Sequence, residues 1–133
     1  MEQGIQKEHE MIGKYGCYVI CLYKAADVEF TIDEYRKCLR RGYIDEECTV
    51  LQPCLILKML TGKKYTVKKA TRADKKADIQ IERWYNENYM HFVLRVRNKD
   101  GSTSIWDSLG KFHLKQRGYT DIESYRLFYL DKD

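Results

Sequence analysis

The sequence has a single proline and, despite five cysteines, no Cys-x2-Cys pair. Without that spacing a structural zinc site is not expected, and an odd number of cysteines does not complete a disulfide framework. No apolar run approaches the roughly 18 residues that a membrane span needs. The opening stretch, MEQGIQKEHEMIG, lacks the apolar core of about seven or more residues that marks a secretory signal. These absences predict a reducing, cytoplasmic setting with thiols, no cofactor and no metal. Charge of one sign is also scarce: the net charge is +4 and the pI about 8.7. The densest basic stretch, Lys63 to Lys76, carries seven Lys or Arg residues against Asp74. It reads as a solvated strand-and-loop face rather than a nucleic-acid interface, which needs a more concentrated patch.

What is present suits one compact domain over residues 1–133, with 44% apolar residues and eleven tyrosines. Residues 17–26 are apolar almost all round, which predicts a buried helix. Thr31 and Glu34 have the spacing of a capping box, so a second helix should run to about Arg41 and stop at Gly42. A third should cover about Val50 to Leu60, with Pro53 in its first turn and Gly62 after its end. Beyond Gly62 the period changes from helical to alternating. Strands are expected at 64–69, 79–85, 89–97, 104–107 and 124–130, with Met90, Phe92, Leu94 and Val96 on one face of the third and His91 on the other. Asn98-Lys99-Asp100-Gly101 has the composition of a hairpin turn with a glycine bulge. Helices first and strands after predict an α+β fold, N-terminal helices packed on an antiparallel sheet.

Chemistry-bearing residues fall at informative places in this pattern. Cys17 follows Gly16 at the start of the first helix, where unpaired N–H groups favour a thiolate, the nucleophilic form. Gly16 is expected to leave room for a substrate backbone, and Cys21, one turn on, to pack beneath the first thiol. Cys38, Cys48 and Cys54 read as small buried hydrophobes. His91 lies in the clearest strand. If Asn98 pairs with Ser102, Asp107 becomes the diagonal neighbour of His91 on the same face, within side-chain reach. A one-residue slip would send Asp107 to the other face. Cys17, His91 and Asp107 then make a nucleophile, a base and an orienting acid. The Cys17 N–H would stabilise an oxyanion, with Gln6 or Gln3 as the upstream amide donor. His9, in a charged stretch, and His113, in a polar connection, read as surface residues.

At these positions the chain resembles the papain-like cysteine peptidases, and most closely the small domain that removes double-glycine leaders from bacteriocin precursors. The likeness covers about residues 5 to 130 and includes a possible phage-borne group with a Gly-Cys-Tyr start. It rests on Cys17-Tyr18-Val19-Ile20-Cys21, on His91-Phe92-Val93 in a strand, and on Trp106-Asp107-Ser108-Leu109-Gly110 after a hairpin. The resemblance implies a papain-like fold and a Cys17–His91–Asp107 triad cleaving a peptide or isopeptide bond in a protein or peptide substrate. It also implies an oxyanion glutamine, assigned to Gln6. The sequence departs from the family in three places: Met11 stands at the usual glutamine spacing, Tyr18 replaces the glycine after the cysteine, and the Asp107 turn has no proline. The glutamine missing at the usual spacing supports an alternative, a binding protein with this fold and no catalysis, such as a phage-type inhibitor or accessory factor.

Overall fold

In the computed structural model, which describes residues 8, 12, 13 and 15–132, the chain forms two compact units, Met1–Lys64 and Tyr65–Asp133. The first is helical. Helix α1 spans Cys17–Ala25, α2 spans Ile32–Arg40 and α3 spans Pro53–Thr61. Each boundary has a local cause. Thr31 Oγ1 accepts the Glu34 N–H at 3.2 Å, which caps α2. The reciprocal half of the expected capping box goes elsewhere, because the Glu34 carboxylate meets Lys37 at 3.0 Å. Pro53 opens α3, where its missing N–H costs nothing. The expected start at Val50 was therefore three residues early. Val19, Leu22 and Tyr23 of α1 and Ile56 and Leu57 of α3 are buried, and these two helices pack together.

The second unit is a five-stranded antiparallel sheet in the order β1-β5-β2-β3-β4, so the protein is α+β. Strands β1 to β5 span Tyr65–Ala70, Ile79–Tyr85, Met90–Arg97, Thr103–Trp106 and Asp121–Leu130. A short helix, α4, covers His113–Gln116 in what the sequence suggested was an irregular connection. The lysine-rich stretch supplies β1, an edge strand whose middle residues are exposed. Lysines on an edge discourage pairing with other chains.

Strand β3 is covered on both faces in mid-strand. His91 and Val93 are buried at 4% and 0%, whereas Met90 is 50% exposed. Phe92, on the opposite side with Met90 and Leu94, lies beneath the guanidinium groups of Arg83 and Arg126, 5.5 and 5.4 Å from its ring centre. Both faces carry apolar residues in mid-strand, with Leu94 also buried.

The face carrying Val93 holds a buried ionic cluster. Glu82 pairs with Val93 across β2 and β3 and is 1% exposed. Arg95 donates to both Glu82 oxygens at 2.8 Å, and the Gln80 amide and Trp84 indole N–H add bonds of 2.9 and 3.1 Å. A carboxylate removed from water needs such saturation.

Candidate active site

The turn after β3 sets the geometry of the site. Asn98 N–H donates to the Ser102 carbonyl at 2.8 Å and Gly101 N–H to the Asn98 carbonyl at 3.1 Å. Gly101 has φ +88, a conformation that glycine adopts at little cost. The ladder continues as Arg97↔Thr103 and Leu94↔Trp106. Extending that register by three residues pairs His91 with Leu109, which makes Asp107 the diagonal neighbour of His91, as the sequence predicted.

The two side chains meet. His91 Nε2 lies 2.7 Å from Asp107 Oδ1, with side-chain exposures of 5% and 3%. Asp107 receives further donors. Leu109 N–H reaches Oδ1 at 2.9 Å, and His113 Nδ1 reaches Oδ2 at 2.9 Å. Burial pushes the Asp107 carboxyl up, but the hydrogen bonds from His91, Leu109 and His113 outweigh it and hold the group below its ordinary value. An ionised carboxylate only accepts, so each ring presents an N–H to it. His91 in its neutral form is therefore the Nε2–H tautomer, with its basic lone pair on Nδ1.

His113 is a correction to the sequence reading, which placed it on the surface. Its side chain is 13% exposed and bonded to Asp107. The turn closed by Gly110 N–H to the Asp107 carbonyl reverses the chain, and His113 N–H caps back to the Gly110 carbonyl. Its ring stands edge-on to that of His91, with centroids 4.6 Å apart, and Tyr119 lies within 6 Å of both. One signal pointed to it: a buried carboxylate has about four lone-pair sites and one histidine fills only one of them. His113 also lines a cleft of about 400 Å³ with Asn86, Tyr89, Arg117 and Tyr119. Asn86 ties this cleft together by donating to the Arg117 carbonyl at 2.8 Å.

Cys17 belongs to the first unit, where it opens α1 and is half-buried. Cys21 is fully buried one turn later, in agreement with a packing role. Cys38 and Cys48 are buried and Cys54 is half-buried; burial, reinforced by Asp45, pushes the Cys48 thiol up to about 12. Gly16 also has a structural role. A Cβ there would collide with the carbonyl oxygen of Ile12, one turn earlier, to which Gly16 N–H donates. The chain's own backbone requires glycine at that position. Gln6, together with Gln3, His9 and Met11, lies outside the described residues.

Fold and site together define an α+β protein with a buried His91–Asp107–His113 hydrogen-bond cluster at one end of an antiparallel sheet. The chain belongs to the family described as "Protein of unknown function, DUF261", which matches residues 1–130. No curated protein and no solved structure matches it. Among the described residues, no helix is long and apolar enough to cross a membrane.

Proposed function

We propose that this protein is a papain-like cysteine hydrolase that cleaves a peptide or isopeptide bond, with Cys17 as nucleophile, His91 as base and Asp107 as the acid that orients the base. The observation that carries this reading is the buried 2.7 Å bond between His91 and Asp107, which the hairpin register foretold. With its ring oriented by the carboxylate, His91 takes the proton from the Cys17 sulfur in the proposed reaction. The thiolate attacks the carbonyl carbon, and the oxyanion is held by the Cys17 N–H, with Gln6 as the second donor. The imidazolium returns its proton to the leaving amine as the C–N bond breaks and a thioester remains. Water, deprotonated by His91, then releases the acid and regenerates the thiol.

His113 acts as a positioning residue in this scheme. Its bond to Oδ2 fixes the carboxylate so that Oδ1 stays on His91. A protein or peptide substrate fits the apolar side chains beside these residues in sequence: Tyr89, Met90, Leu109 and Phe112 are 50–69% exposed. Such surface favours contact with another chain.

The test is a reactive electrophile on a peptide scaffold, with the modified residue mapped by mass spectrometry. Wild type should be labelled at Cys17, whereas Cys17→Ala and His91→Ala should not. Equal labelling of wild type and His91→Ala would make Cys17 a merely accessible thiol and would favour a binding protein without catalysis.

A further inference from the structure

The cluster that orients His91 also has the composition of a transition-metal site. One ligand atom each from His91, Asp107 and His113 lie within 4.8 Å of one another, and His91 Nε2 and His113 Nδ1 are the nitrogens that face the carboxylate. Two imidazole nitrogens and one carboxylate oxygen form a donor set that suits zinc and its neighbours in the first transition row. The surroundings meet the other requirements of such a site. Leu109 N–H already holds Asp107 from behind, as an outer-shell donor would. His113 borders the cleft beside Asn86 and Tyr89, which gives an ion a way in.

We propose that His91, Asp107 and His113 bind one divalent transition-metal ion of the zinc class, and that the ion replaces the two histidine–carboxylate hydrogen bonds. The change required is small. Ligand atoms around tetrahedral zinc stand about 3.3 Å apart, given bonds of about 2.0–2.2 Å. His91 now sits 2.7 Å from Oδ1 and His113 2.9 Å from Oδ2, so both rings must recede a little and the carboxylate must turn one oxygen toward the ion. The proton balance is equally definite. A ring nitrogen that binds metal gives up its hydrogen, so in the neutral rings the His91 proton moves from Nε2 to Nδ1 and the His113 proton from Nδ1 to Nε2, through solvent. No redox step is involved. Under the hydrolase reading, on which this consequence alone rests, the ion is an inhibitor: with Nδ1 protonated, His91 no longer accepts the Cys17 proton.

The experiment titrates tag-free protein with Zn²⁺ and follows the ¹⁵N ring signals of its three histidines by NMR, with calorimetry for stoichiometry. The expected result is saturation at one ion per chain. The His91 and His113 patterns should exchange tautomers while His9 stays unchanged. Asp107→Asn and His113→Phe should each weaken binding by about 10–100-fold or more. His113→Cys, which restores a ligand, should retain binding and, with Co²⁺, gain a thiolate charge-transfer band that His113→Ser lacks. Circular dichroism identifies any variant that has failed to fold, and the tautomer exchange in wild type stands without the variants. Signals of His91 and His113 that do not change with saturating Zn²⁺, or binding undiminished in folded Asp107→Asn, would overturn the site. The readout needs no catalysis, so a metal site with no labelling of Cys17 would refute the hydrolase and leave this proposal standing.

Discussion

Replacing Asp107 with asparagine is expected to slow labelling of Cys17 by a peptide electrophile by about 10²–10⁴-fold, the range over which a misplaced general base is felt. The reason is the number of acceptors. The carboxylate accepts from His91, Leu109 and His113. An amide has one acceptor oxygen and an NH2 group that donates, so it cannot face both ring N–H groups. At least one histidine must change tautomer. With the amide oxygen in place of Oδ1, His113 changes tautomer; with it in place of Oδ2, His91 does and the base is lost. In both cases the negative charge that stabilises the His91 imidazolium is gone from a nearly isosteric fold. The stability cost should be smaller, about 1–3 kcal/mol for buried polar groups left badly paired. Urea unfolding beside the labelling rate checks both. A rate within a factor of two of wild type would remove Asp107 from the mechanism.

The largest expected effect on stability lies away from this chemistry. Arg95→Ala should destabilise the protein by about 3–5 kcal/mol, because removal of one partner strands a buried charge. Glu82 is 2% exposed and would keep only the Gln80 and Trp84 donors. Arg95 itself is 24% exposed, so water screens the pair in part and the lower end of the range applies. Even that is a sizeable fraction of the roughly 5–15 kcal/mol that stabilises a typical domain. The measurement is the urea midpoint of Arg95→Ala against that of Glu82→Gln/Arg95→Met, in which no charge is stranded. The double variant should recover much of the loss. A single variant within about 0.5 kcal/mol of wild type, the scatter of ordinary surface substitutions, would show that the cluster is not a unit.

Much of this architecture was legible in the sequence because local chemistry determined it. Thr31 announces α2, Pro53 and Gly62 bracket α3, and Asn98 to Gly101 fix a turn whose register carries Asp107 to His91. Other features depend on long-range packing. The cover on β3 was not legible, because Phe92 is capped by arginines from β2 and β5, which no periodicity within β3 reveals. His113 was missed because its partner precedes it by six residues, across a reversal built on Gly110, and its polar neighbours resemble a surface loop. The structural need for Gly16 was not legible either, since it comes from the Ile12 carbonyl one turn earlier. The Glu82–Arg95 cluster was invisible as well, since two charged residues 13 apart on separate strands resemble any solvated pair.

The hydrolase reading is tested most directly by the rate at which iodoacetamide modifies Cys17 between about pH 8 and pH 5, with chelator present and the site of modification mapped. An isolated thiol near its ordinary range loses about tenfold in thiolate per pH unit, or about 10³ over this interval. A thiolate paired with an imidazolium persists to lower pH, although it is a weaker nucleophile. In wild type the rate should therefore fall by less than about tenfold, and in folded His91→Ala by about 10³. Parallel declines in the two proteins would mean that His91 does not serve Cys17, and would contradict the proposed mechanism.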